Sequence, residues 1–96
     1  MKAIVYISGK VTGEDFLKTY LKFEKVEKGY PKEKWEVINP MKLCRVEWSW
    51  LKCMIVCIFH LFKATDMCML PDWVNSRGAK IEHWIAKKRK LIIKYL

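Results

Sequence analysis

Two stretches of this 96-residue chain hold residue types at spacings that suit chemistry on a small anionic ligand. The first is Ser8-Gly9-Lys10-Val11-Thr12-Gly13, where hydroxyls, a cation and glycines let backbone N–H groups approach an anion. The second runs from Ser76 to Ala86, and within it Gly78, Glu82 and Ala86 fall four residues apart. That spacing puts all three on one helix ridge, so small neighbours leave room over the Glu82 carboxylate. A glutamate in a second helical turn is oriented by its helix and reachable from a loop pocket, which suits a nucleophile. Each motif also has a plainer reading on residue type alone. Gly9-x3-Gly13 lacks the third glycine of a dinucleotide fingerprint and the Gly-Lys-Ser/Thr ending of a P-loop, and so reads as a tight strand-to-helix turn. Ser76 reads as a helix cap and Glu82 as a surface helix residue.

Cys53-x3-Cys57 with His60 nearby is the one arrangement that suggests a metal. One turn of apolar helix offers no second ligand pair, so Cys44, Cys53, Cys57 and Cys68 are read as reduced, buried thiols, and no metal or cofactor is expected.

The elements that must position these residues follow from hydrophobic period. Residues 2–8 read as a strand apolar on both faces, as in a central parallel strand covered on two sides. From Thr12 or Gly13 to about Lys28 the recurrence of Phe16, Tyr20 and Phe23 predicts an amphipathic helix. Trp35–Ile38 is a second strand closed by Asn39-Pro40. A helix then runs over about 47–62, apolar nearly all round; Trp48, Trp50, Met54, Ile58 and Phe62 exceed what one small sheet covers, which points to a subunit interface. Strands over 67–70 and 91–95 flank a helix over 76–88.

This β-α-β-α-β-α-β order over residues 1–96 predicts a single α/β domain, a Rossmann- or flavodoxin-like three-layer sandwich with a four-stranded parallel sheet and helices on both faces. Ligands in such sheets bind beyond the carboxyl ends of the strands. Three loops therefore matter: the glycine loop already described, Asn39-Pro40-Met41-Lys42, and the loop from Leu70 to Gly78, which contains Asp72 and Arg77.

The composition narrows the function classes. Only five apolar residues, Ala3 to Ile7, precede Ser8, too few for a signal-peptide core, and no run approaches the ~20 apolar residues of a membrane span, so a soluble cytoplasmic protein is expected. The net charge of +9 invites nucleic acid, but the lysines are scattered and the one dense run, Lys87-Lys88-Arg89-Lys90, closes a helix where cations complement the dipole. A solvated basic surface is the reading taken, and a nucleic-acid partner is not expected.

Tyr6-Ile-Ser-Gly9 leading into Gly13, together with Ser76-Arg-Gly78-Ala-Lys-Ile-Glu82-His-Trp-Ile-Ala86, resembles the nucleoside 2-deoxyribosyltransferase superfamily. The resemblance implies that Glu82 attacks the anomeric carbon of a (deoxy)nucleoside or its 5'-monophosphate, giving a covalent glycosyl-enzyme that water or a second base resolves, with Tyr6 orienting the carboxylate. It implies a substrate site built from Ser8, Gly9, Lys10, Thr12, Gly13, Asn39, Pro40, Asp72, Ser76, Arg77 and Gly78. A pocket completed by a second copy in a homodimer or higher homo-oligomer is implied too. Serine six positions before the glutamate, here Ser76, resembles the branch that hydrolyses nucleoside 5'-monophosphates, whereas the transferases for free nucleosides have aspartate there. No second carboxylate is clearly placed, since Asp72 sits in the right loop and Asp66 at the wrong end of its strand. The alternative is a non-catalytic nucleotide-binding or sensor module that keeps the pocket without the chemistry.

Overall fold

The structure is a computed structural model that describes residues 2–96. Its elements are β1 (Ala3–Ser8), α1 (Phe16–Lys28), β2 (Trp35–Ile38), α2 (Pro40–Leu43), α3 (Trp50–Leu61), β3 (Asp66–Met69), a 3-10 turn over Pro71–Asn75, α4 (Arg77–Lys88) and β4 (Ile92–Tyr95). The four strands form one all-parallel sheet in the order β2-β1-β3-β4. This is the Rossmann- or flavodoxin-like α/β sandwich the sequence predicts. Because β1 is followed by a crossover to one side and β3 lies on its other side, the strand order reverses between β1 and β3, and a crevice opens beyond their carboxyl ends.

The alternating pleat of β1 divides the core. Ile7 packs with Phe23 and Leu70 on the α1 side, with Val26, Val37 and Met41 around them. Tyr6 points the other way, into a cluster with Cys57, Leu61, Met67, Met69 and Ala86 beneath α3 and α4. One helix on one face and two on the other is what right-handed crossovers require for this strand order. The register puts Tyr6 beside Met67 and Ser8 beside Met69, so Tyr6 and Ser8 share the α3/α4 face at the strand end.

Several boundaries differ from the sequence reading, each for a local reason. Helix α1 starts at Phe16 because Gly13 adopts a left-handed φ of 83° and the Asp15 side chain accepts from the Lys18 N–H as the cap. Asn39-Pro40 opens a helix as well as closing a strand: Asn39 caps Met41 at 3.0 Å and Pro40 takes the first helical position. Helix α3 begins at Trp50 because Ser49 caps the Lys52 N–H. Its interface residues also sort differently. Met54 is buried within the chain, and the stripe left facing solvent is Leu51, Ile55, Phe59 and Phe62. Among the described residues no helix is long and apolar enough to cross a membrane.

The cysteines overturn the expectation of four reduced thiols. Cys44, at the end of α2, forms a disulfide with Cys53 in the first turn of α3, while Cys57 and Cys68 are free and buried. The short helix α2 reverses the chain and returns Cys44 to the face of α3 that carries Cys53 and Cys57.

Candidate active site

Glu82 sits in the second turn of α4, and its side chain turns inward rather than to solvent, leaving 6% of the residue exposed. Gly78 and Ala86, one turn to either side, are also buried, because this ridge of α4 is the one pressed onto the sheet and α3. A Cβ on Gly78 would lie 3.0 Å from the Met54 sulfur, so glycine at this position lets α3 and α4 approach. Gly9 plays a similar part at the end of β1, where a Cβ would lie 2.6 Å from Leu70 Cδ1.

Two hydroxyls hold the Glu82 carboxylate. Tyr6 Oη donates to Oε2 at 2.6 Å and Ser8 Oγ donates to Oε1 at 2.7 Å, both buried. The strand pleat explains the pair: residues two apart on β1 project to one face and meet the same side chain of α4. Burial pushes the Glu82 carboxyl up to about 7, although both hydroxyl donors favour the ionised form. Burial, then the neighbouring Glu82 charge, raises the Tyr6 phenol well above its ordinary range, so Tyr6 is a standing donor rather than an acid. Beside it, burial raises the Cys57 thiol to about 11.

The carboxylate borders a cavity of about 290 Å³ at the β1/β3 crevice. Gly9, Thr12, Pro40, Ser76 and Gly78 line it with Met41 of the second loop, together with residues outside the three loops: Phe23, Trp50, Met54, Cys57 and the Cys44–Cys53 pair. Among the described residues that line this cavity, Glu82 is the only acid and Arg45 the only cation. The α3 contribution has a sequence signal in the helical spacing of Trp50, Met54 and Cys57. It did not stand out because α3 is apolar on nearly every face.

An adjoining recess shares Thr12, Trp50, Ser76 and Gly78 with the cavity and adds Lys10, Asn75 and Arg77. It lies at the N-terminus of α4, where the first-turn N–H groups have no preceding carbonyl to bond. Ser76 Oγ accepts from the Ala79 N–H at 3.1 Å, which leaves its own proton free to donate outward. The Arg77 guanidinium stacks 4.9 Å from the Trp50 ring centroid and is thereby held at the rim. The recess thus gathers two cations, a hydroxyl and a helix N-terminus, the groups from which anion sites are built.

Four residues of the expected substrate site line neither the cavity nor the recess. Asn39 caps α2 and donates to Glu27 Oε1 at 3.0 Å, and it does not line the cavity. Gly13 forms the turn before α1 with nothing within 4 Å of its side-chain position. Asp72 accepts from the Lys10 N–H and pairs with the Lys22 ammonium. Burial raises its pKa, but these two partners outweigh that and hold it below the usual carboxylate range. Ser8, expected to touch the ligand, instead grips Glu82.

A family model described as Domain of unknown function (DUF4406) matches residues 3–95. No curated protein and no solved structure matches the chain.

Proposed function

We propose that this chain, a member of the family described as Domain of unknown function (DUF4406), binds a nucleoside 5'-monophosphate and cleaves its N-glycosidic bond through Glu82, passing the sugar to water or to a second base. The observation that carries this reading is the Glu82 carboxylate at the wall of the crevice cavity, gripped on both oxygens by Tyr6 and Ser8. The motif resemblance supports the same assignment for Glu82 and Tyr6.

The reaction follows from the groups present. A carboxylate fixed at both oxygens cannot rotate away, so it faces one point in the cavity with little reorganisation. As the bond to the base lengthens, positive charge builds on the anomeric carbon, and the adjacent carboxylate stabilises it and then closes the bond. The bonding pair leaves with the base, which takes its proton from water, since among the described residues no second carboxyl lines the cavity. Water or another base then attacks the same carbon and releases Glu82. In the adjoining recess Lys10, Arg77, Ser76 and the start of α4 take the 5'-phosphate, a group a bare nucleoside lacks.

One observation favours the alternative, a nucleotide-binding module without turnover: Asp72, the acid of the third loop, is committed to Lys22 and the Lys10 N–H. Incubating the protein with deoxynucleosides and their 5'-monophosphates, and following free base by chromatography, decides between the two. The enzyme reading expects base released from monophosphates, and the binding reading expects bound monophosphate recovered intact. We also propose that a second copy covers the outward stripe of α3, whose Leu51, Ile55 and Phe59 are otherwise exposed.

A further inference from the structure

Three sulfurs converge in the wall of the cavity. Cys57 Sγ lies 3.6 Å from Cys44 Sγ and 3.8 Å from Cys53 Sγ, and one ligand atom from each of the three residues falls within 4.8 Å of the others. Cys53 and Cys57 are one turn apart on α3, and Cys44 arrives from the end of α2, so two separate elements supply the set. A zinc ion bound tetrahedrally by sulfur at about 2.3 Å places its sulfurs about 3.8 Å apart. Two of the three edges already have that length, and only the bonded Cys44–Cys53 pair must part.

We propose that the reduced form of this cluster is a three-thiolate metal site for a thiophilic divalent cation, Zn²⁺ in the first instance, with its fourth position open to the cavity. Formation balances in two steps. A dithiol reductant gives two electrons and two protons to the Cys44–Cys53 bond, becomes a disulfide itself, and leaves two free thiols. Zn²⁺ then displaces the three thiol protons to solvent and leaves a site of net charge −1. Separating Cys44 from Cys53 asks for movement at the short α2–α3 connection, where Arg45 to Trp48 form a turn and Cys44 is only half-buried. All three cysteines line the cavity, so the vacant coordination position receives water or a ligand atom from the side where Glu82 stands. Three protein ligands with one exchangeable position is the arrangement of zinc sites that bind or activate a ligand, whereas closed structural sites use four. Thiolate donors select Zn²⁺ over the hard cations Mg²⁺ and Ca²⁺. The proposal is independent of the glycosidase reading, since it rests on the sulfurs alone.

Cobalt(II) titration of the full chain tests it, after reduction with dithiothreitol and removal of the reductant without oxygen. One Co²⁺ per chain should bind with a sulfur-to-cobalt charge-transfer band and intense tetrahedral d–d absorption, and Zn²⁺ should bleach both. Cys57→Ser and Cys44→Ser should each weaken binding at least tenfold, while Cys68→Ser, outside the cluster, should keep the spectrum. Should Cys57→Ser fail to fold, Cys44→Ser decides alone, because Cys44 is half-buried at the end of α2. A reduced protein without the charge-transfer band, a disulfide that resists the dithiol, or a band that survives in Cys44→Ser would overturn the proposal.

Discussion

Glu82→Gln keeps the shape of the side chain and removes its charge, so it isolates what burying the carboxylate does to the fold. Burial raises the Glu82 carboxyl from 4.5 to about 7, against the pull of the Tyr6 and Ser8 hydroxyls. A pKa higher in the folded state than in the unfolded chain means that the native protein holds the proton more tightly. The stability this gives is fully present below 4.5 and is lost as pH rises through about 7. At about 1.4 kcal/mol per pH unit, Glu82 alone should cost the wild type on the order of 3 kcal/mol between about pH 4.5 and about pH 8. Glu82→Gln has no such dependence, and Glu27, Asp72 and His83 titrate in both proteins and cancel in the difference. Urea unfolding followed by tryptophan fluorescence at the two pH values measures it. The variant should gain roughly 2–3 kcal/mol on the wild type as pH rises, even though it loses an acceptor for one of the two hydroxyls. Parallel pH dependences would refute the reasoning, since they would mean that water reaches Glu82 and that it ionises in the ordinary carboxylate range.

The other expectations follow from single contacts. Ser76→Ala removes both the cap on Ala79 and a donor to the recess, so it should cost about 1 kcal/mol of stability and about tenfold in affinity for a 5'-monophosphate, with nucleoside affinity less affected; calorimetry on both ligands checks this. Gly9→Ala forces a methyl against buried Leu70 and should destabilise by about 1–3 kcal/mol, measured by the urea midpoint. Ile55→Asp places a charge in the outward stripe of α3 and should shift sedimentation from dimer to monomer without changing the circular dichroism spectrum.

The sequence was informative wherever one local signal dominated. A β-branched run apolar on both faces marked residues 2–8 as a central strand, observed as Ala3–Ser8, and Gly9 placed a loop at the strand end. The spacing of Gly78, Glu82 and Ala86 identified a common ridge, and the structure turns that ridge inward. What the spacing could not convey was depth. Residue type alone made Glu82 a surface residue, and only the pairing of β1 with β3 beneath α4 encloses it and brings Tyr6 and Ser8 onto it. Asn39-Pro40 was half legible: the same dipeptide closes a strand and opens a helix, and only the strand end was read. The sulfur cluster follows from that omission, because without α2 nothing returns Cys44 to Cys53 and Cys57. Asp72 illustrates the opposite error. It stands in the expected loop, but Lys22, from the second turn of α1, claims its carboxylate, a contact between residues fifty positions apart that no local pattern announces.

The central claim is that Glu82 forms a covalent bond to the sugar, and a slow substrate tests it most directly. A 2-fluoro-2-deoxy nucleoside 5'-monophosphate destabilises the sugar cation, so a glycosyl-enzyme that forms should persist long enough for mass spectrometry. The intact chain should gain the mass of one fluorosugar phosphate, the peptide carrying Glu82 should hold it, and Glu82→Gln should gain nothing. An adduct on any other residue, or base release by the wild type that persists undiminished in Glu82→Gln, would contradict the account.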